Sequence, residues 1–258
     1  MNHYTCVGKF PTPMSVPYRE FCPPDALARW VECCWQIQPA EALRAYPVRP
    51  DGCVDLFYSR ETGLQIIGTM SATRHFDMAA GAAMGVRLHP GMAGRLIGAA
   101  PGELTDQRVG LEDLWGRRAR ELLDRMVEAR AVEEQLRLLV AALPAPPPPD
   151  RVQRAIAALT ASHGTADLEW IARQANLSAR QFRRRCEEES GLPPKHLCRV
   201  LRFRHAWRLA ETSAGRDWPG VAAEAGYFDQ AHLIRDFRQL AGGPPTTVFS
   251  NTAAAAIG

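Results

Sequence analysis

A chain of 258 residues with 46% apolar and 23% charged residues can fill real hydrophobic cores, which excludes a disordered or low-complexity protein. It has no run of 18 apolar residues, and Met1 to Cys6 lack a basic segment followed by an apolar one, so neither a membrane span nor a secretory leader is predicted. The net charge of +3 is uneven: residues 1–149 carry 16 Lys and Arg against 17 Asp and Glu, and residues 150–258 carry 15 against 11, a bias that suits a polyanion on the C-terminal side without demonstrating one.

Residues 1–110 are rich in Gly and Pro with short apolar runs. Strands are predicted over Val31–Ile37, Cys53–Tyr58, Gln65–Gly68 and Met84–Leu88, punctuated by Pro47, Pro50-Asp51-Gly52 and Pro90-Gly91. Short strands with such turns point to a mostly-β, barrel-like domain. Over 111–143, Leu122, Met126, Val132, Leu136, Leu139 and Leu143 recur near helical spacing, which predicts one or two amphipathic helices for packing or for dimerisation.

Within the β-rich part, Arg49, Asp55, Arg87 and His89 are candidates to line a ligand pocket. Ion pairs Arg49–Asp51 and Arg87–Asp55 under turns are the alternative, since a charge such as Asp55 inside an apolar strand needs a partner. The seven cysteines, at 6, 22, 33, 34, 53, 186 and 198, are odd in number and scattered, which predicts reduced thiols in a cytoplasm. Cys33 and Cys34 face opposite sides of one strand, so with Cys53 they make a poor start on a four-ligand zinc site, and no metal or cofactor is predicted. No nucleophile-and-base signature suggests an enzyme.

Pro144-Ala145-Pro146-Pro147-Pro148-Pro149 cannot sit inside a helix and reads as a stiff linker over 144–149. Beyond it, helices are predicted over 150–160, 167–175, 179–189, 194–212, 218–225 and 230–240, with a frayed tail over 250–258.

This C-terminal half contains an internal repeat. Ile171-Ala172 with Ala175 matches Val221-Ala222 with Ala225 at an offset of 50. After one inserted residue the match resumes at 51: Ser178 with Asp229, Phe182 with Leu233, Arg184 with Arg235, Gly191 with Gly242. Each copy reads as helix, tight turn, helix, where alanine permits close crossing and Ser178 or Asp229 caps the second helix. Ser178 with Gln181 forms a capping box, and Leu177 is placed to staple onto Phe182 as Phe228 is onto Leu233.

On the helix over 179–189, Phe182 and Cys186 share the inward face, and Arg180, Arg183 and Arg184 lie outside it. Like charges one turn apart, as at Arg180 and Arg184, repel by about 0.2–0.5 kcal/mol unless an anion intervenes. Arginine reads guanine through paired hydrogen bonds in the major groove, so these residues are candidate base contacts, and Gln181 either caps or touches phosphate. On the helix over 230–240, Gln230, Ala231, His232 and Arg235 occupy the corresponding outer face. Arg173, Lys195, Arg199 and Arg202 are candidates for phosphate contacts, which position rather than specify. The helix over 194–212 presents Leu197, Leu201, Ala206 or His205, Leu209 and Trp207 to both units. A rod of this kind holds two recognition helices at a fixed spacing, and successive major grooves require roughly 34 Å.

Over roughly 150–249 the pattern resembles the AraC/XylS family of bacterial transcription regulators. The marks are Leu168, Ile171-Ala172, Ala175, Leu177-Ser178, Phe182, Arg184, Gly191 and Pro193, then Val221-Ala222, Ala225-Gly226-Tyr227, Phe228, Leu233, Phe237, Gly242 and Pro244-Pro245. The resemblance implies seven helices, one more than periodicity shows, placed after Pro245 or hidden in a merged helix. It also implies that Arg180, Arg183 and Arg184, and then Ala231, His232 and Arg235, face DNA. Ala231 departs from the more polar residues common there, and Cys186 replaces the usual Phe. The N-terminal part, through Arg49–Leu56, Gly85–Gly91 and Leu111–Gly116, resembles a sensor-like domain found beside this module, which implies a small cupin-like barrel followed by helices.

The expected protein is therefore α+β: a mostly-β cupin-like barrel with helices over 1–143 for effector sensing or dimerisation, the linker, and an all-α double helix-turn-helix domain over 150–249. Its expected function is sequence-specific DNA binding as an effector-responsive transcription regulator, with activation or repression left open by the sequence. Its expected partners are double-stranded DNA, a small-molecule effector, a second copy in a homodimer and RNA polymerase, with no membrane. The alternative is an N-terminal domain that only dimerises or binds a protein, its core filled and without a cavity.

Overall fold

This computed structural model describes residues 16–212 and 217–254, with side chains through Ser250. The N-terminal residues read above for a leader lie outside the described residues.

Eight strands form the N-terminal region: β1 Tyr18–Phe21, β2 Val31–Ile37, β3 Leu43–Val48, β4 Val54–Ser59, β5 Gly63–Ile67, β6 Arg74–Met78, β7 Ala83–Leu88 and β8 Arg108–Gly110. Six pair antiparallel in the order β1-β2-β7-β4-β5-β8, and β3 and β6 pair separately as a two-stranded sheet. Among the described residues no ladder joins β1 to β8, so hydrogen bonds leave the expected barrel open.

Alternation along the central strands divides two cores. Cys34, Leu56, Tyr58, Met84, Val86 and Leu88 face the helical layer, and Cys33, Trp35, Phe57 and Ala83 face Leu43 and Tyr46 of β3. Both faces are covered, which is why these strands read as nearly continuous apolar runs. Trp35 lies across Gly85 of the neighbouring strand, where even a Cβ would meet the indole at 2.8 Å, so only glycine fits there.

The helical layer comprises a short turn α1 Gly94–Ile97, then α2 Leu111–Trp115, α3 Arg117–Glu128 and α4 Val132–Ala142. Ala119, Leu122, Met126, Leu136 and Leu139 form its buried stripe. Buried Gln135 donates through Nε2 to the carbonyls of Met126 and Ala129 at 2.8 and 3.0 Å, satisfying the end of α3. Residues 144–150 carry no regular structure.

Seven helices follow: α5 Arg151–Ala161, α6 Leu168–Gln174, α7 Ala179–Ser190, α8 Pro194–Thr212, α9 Trp218–Glu224, α10 Gln230–Ala241 and α11 Pro245–Ala254. The seventh starts at Pro245, one of the places the resemblance implied, and it carries helix into the region expected to be a frayed tail. Residues 255–258 lie outside the described residues. Caps set the starts. Asp150 and Ser178 each complete a capping box, and Asp167 and Asp229 each accept from a backbone N–H of the first turn. Ile171, Ala172, Ala175, Phe182 and Cys186 of one unit and Val221, Ala222, Ala225, Leu233 and Phe237 of the other join a single core around α8.

Two expectations fail locally. Phe228 does not staple onto Leu233 and is 93% exposed, because Tyr227 takes the inward place that Leu177 holds in the first unit. Cys22 is disulfide-bonded, whereas Cys33, Cys34, Cys53, Cys186 and Cys198 are free and buried, so the prediction of reduced thiols throughout does not hold at Cys22.

The proline stretch does not keep the two halves apart. Thr69 Oγ1 donates to the Ser190 carbonyl at 2.8 Å, and Thr105 Oγ1 donates to that of Gly191 at 2.7 Å, both at the C-terminal end of α7. Thr73 donates through N and Oγ1 to the Leu240 carbonyl at 2.9 and 2.7 Å, at the end of α10. His196 of α8 bonds the Ser71 carbonyl at 2.8 Å. One N-terminal loop thus satisfies orphan carbonyls at the ends of both second helices of the repeat.

Candidate nucleic-acid interface and ligand pocket

The repeat dictates two exposed helix faces. On α7, Arg180, Gln181, Arg183 and Arg184 are exposed, with Phe182 and Cys186 buried behind them. Among the described residues Arg180 and Arg183 make no ion pair, so both guanidinium groups remain available. Arg184 is held at 2.6 Å by Glu188, one turn on, which relieves its repulsion with Arg180. Gln181 is committed to its cap: its Oε1 accepts from Ser178 N at 2.9 Å.

On α10, Gln230, Ala231 and Arg235 are exposed, and His232 is half-buried with its ring edge-on to Tyr227 at 5.1 Å. The proposed phosphate contacts divide. Lys195 is exposed, and so is Arg173, which has a weak pairing with Glu169 at 3.8 Å. Arg199 is engaged with buried Asp236 at 2.8 Å and also with Gln239, so it braces α8 against α10 instead of pointing to a phosphate. Arg202 is half-buried with its guanidinium 5.7 Å from the Tyr227 ring.

The N-terminal region holds a cavity of about 480 Å³ whose lining draws on the inner face of the large sheet and on β3 and β6. Its aromatic lining includes Tyr18, Trp35, Tyr46, Phe57 and Phe76. Three of the four candidate ligand residues, Arg49, Asp55 and Arg87, line it. His89 does not. It sits 3.8 Å from Glu32, with burial pulling its pKa down, and lies outside the cavity lining.

Charge inside the cavity is unevenly matched. Arg87 faces Asp51 at 3.2 Å, Asp55 at 3.3 Å and Glu20 at 3.8 Å. Burial opposes its charge, but the surrounding acids hold its pKa well above the ordinary value. Asp55 also accepts from Trp35 Nε1 at 2.7 Å. The expected Arg87–Asp55 pair is therefore present, whereas Arg49 does not pair with Asp51. Arg49 instead lies 3.9 Å over the ring of Trp207 on α8, and burial lowers its pKa to about 10. Its acidic neighbour Glu211 is pushed up to about 8 by burial, so it offers Arg49 little charge at neutral pH. Arg108 is placed over Phe57 and Phe76 and bonds Gln65. Among the described residues neither Arg49 nor Arg108 has a carboxylate within ion-pair distance.

A second charge cluster joins the halves. Glu32 of β2 receives Arg204 and Arg208 of α8, and Arg204 also reaches the Asp51 carbonyl at 3.4 Å. Nothing in the residue pattern pointed to Glu32, Arg204 or Trp207 as links between pocket and helices. The one available signal was that Arg204 and Arg208 are two of the four arginines, with Arg199 and Arg202, that α8 carries.

Residues 171–251 match the family model of a helix-turn-helix domain, and residues 19–110 match a domain of unknown function, DUF6597. No curated protein matches the chain. Among solved structures, the DNA-binding domain of AdpA, described as the global transcriptional factor and crystallised with a target DNA, is 28% identical, with 43% of this chain and 100% of that chain covered at a TM-score of 0.38. ToxT from Vibrio cholerae O395 is 9% identical, with 84% and 95% covered at 0.39. Wild-type ToxT from Vibrio cholerae strain SCE256, bound to an unsaturated fatty acid, is 11% identical, with 84% and 93% covered at 0.38.

Proposed function

We propose that the chain, whose residues 171–251 match a helix-turn-helix model behind a β-rich N-terminal domain, is an AraC-type, sequence-specific DNA-binding transcription regulator whose N-terminal cavity receives a small-molecule effector. The observation that carries the reading is the duplication itself. Two capped helices, α7 and α10, each bury one face in a shared core and expose an outer face bearing arginine. Arg180 and Arg183 are the base-reading candidates on α7, with Gln230, Ala231 and Arg235 on α10. Lys195 and Arg173 are the phosphate contacts. The role is regulatory, and homodimerisation, a cytoplasmic location and contact with RNA polymerase complete the proposal.

Duplexes selected from a random pool by the full chain should bind with an affinity that falls steeply as salt rises. Arg183→Ala should remove about 1–3 kcal/mol of discrimination between selected and random duplex. Selection that returns random sequence, or binding indifferent to salt, would refute the DNA reading.

The cavity favours an effector over a domain that only dimerises, for which a filled core was the expectation. Arg87 is already matched by acids, and Arg49 and Arg108 are not, so the lining suits a flat apolar body with one negative charge. The cavity also touches the DNA-binding half twice. Gly68 and Met70 line it and flank Thr69, which caps α7, and Arg49 lines it while stacking on Trp207. A carboxylate, an alcohol and an amine built on one aromatic skeleton should raise the melting temperature most for the carboxylate. No shift with any of the three would count against the cavity as a ligand site, and a preference for the amine would reverse the charge assignment.

A further inference from the structure

Phe228 is 93% exposed, against 56% for Val127 and 50% for Trp170, the other exposed large apolar side chains among the described residues. The internal repeat explains how it comes to be there. In the first turn Leu177 N donates to the Ala172 carbonyl at 3.0 Å, and in the second Tyr227 N donates to that of Ala222 at 2.9 Å. Asn176 and Gly226, the preceding residues, both adopt left-handed backbone, with φ of 51° and 78°. Leu177 and Tyr227 are both buried, and Ser178 and Asp229 both cap the helix that follows. The two turns are thus equivalent on either side of one position. Phe228 is the residue without a counterpart, and the fold expels it.

An aromatic ring left in water forgoes a large burial energy, and among the described residues no neighbour covers it. Its place suggests what does. It immediately precedes the cap of α10 and adjoins Gln230 and Ala231, which are exposed, with Arg235 little more than a turn further on the same helix. On the DNA-binding reading, this is the end of the helix that enters the major groove. Phe228 and Ala231 are the apolar members of an otherwise polar edge. The apolar group displayed on base edges in that groove is the C5-methyl of thymine, whereas phosphate would favour Arg or Lys.

We propose that Phe228 is a specificity-determining residue of the second recognition helix, packing with Ala231 against a thymine methyl. The proposal rests on the DNA-binding reading, and a chain that selects no duplex fails before thymine is tested. Because Phe228 is solvent-exposed, Phe228→Ala should melt with the wild-type chain.

The test uses the full chain and its selected duplex. Each thymine is replaced in turn by deoxyuridine, which removes only the C5-methyl. Wild-type affinity should fall about fourfold at one or two positions, the weight of one methyl-sized apolar group. Phe228→Ala should bind the thymine duplex with that same loss and show no further penalty for deoxyuridine at those positions. Wild-type binding indifferent to every replacement would overturn the proposal, as would a variant with undiminished penalties. A variant that binds and selects the same sites as wild type would also overturn it and assign the ring to a protein partner.

Discussion

Trp207→Ala is expected to lower the unfolding free energy by about 3–5 kcal/mol, the range for deleting a large aromatic from a close-packed core. Trp207 is fully buried on α8, stacked on Phe249 at 4.4 Å and on Phe237 of α10 at 5.9 Å, with Phe203 edge-on at 5.8 Å. No single neighbour can fill the space left, so both the transfer loss and the cavity loss apply. The same ring carries Arg49 of the cavity lining 3.9 Å from its centroid, which makes the indole a contact between the N-terminal cavity and the second recognition helix. A denaturant melt measures the loss. A double-mutant cycle with Arg49→Ala should show coupling of about 0.5–2 kcal/mol, the range for a partly desolvated cation on an indole. Additivity would mean the two halves meet there without communicating. Trp207→Phe, which keeps a ring in the stack, should recover much of the stability and less of the coupling.

Which features could be read beforehand follows from how local their causes are. The strand Val31–Ile37 was recoverable to the residue, because a strand buried on both faces is a run of apolar and β-branched residues. Strands β3 and β6 were missed: Pro47 lies in one, and Arg74, His75 and Asp77 in the other, so a wet outer face erased the pattern. Edge strands β1 and β8 are too short, at four and three residues, to show a period. Caps and the repeat were legible because each is settled within a few residues. The choice between Tyr227 and Phe228 for the inward place was not, since either could staple and only the turn geometry decides.

Partners distant in sequence were equally hidden. Asp236 captures Arg199, Glu32 sits against His89, and Asp51 goes to Arg87 instead of Arg49. The proline linker suggested two bodies held apart. Thr69, Thr73 and Thr105 instead reach across to α7 and α10, and nothing about a threonine in a loop announces that its hydroxyl will cap a helix in another domain.

Arg87→Met is expected to destabilise the chain by about 3–5 kcal/mol at neutral pH, because it leaves buried acids without their cation. Arg87 and Glu20 are almost wholly enclosed, at 11% and 7% side-chain exposure, and Asp51 and Asp55 at 13% and 14% are little more open. Methionine fills a similar volume, so packing alone does not account for the loss. The pH dependence gives the diagnostic. Burial already pushes the Asp51 carboxyl above its ordinary value, with Arg87 pulling the other way, and removal of Arg87 leaves burial unopposed. A carboxyl whose folded pKa lies above its unfolded value costs nothing below the unfolded pKa, and its penalty grows as pH rises toward the folded one. The variant's deficit in thermal or denaturant melts should therefore be small near pH 4, widen through neutrality and then level off. A deficit constant from pH 4 to pH 8 would mean that Arg87 acts through packing. Arg87→Met combined with Asp51→Asn should flatten the profile if charge is the cause, because the pair then loses cation and anion together.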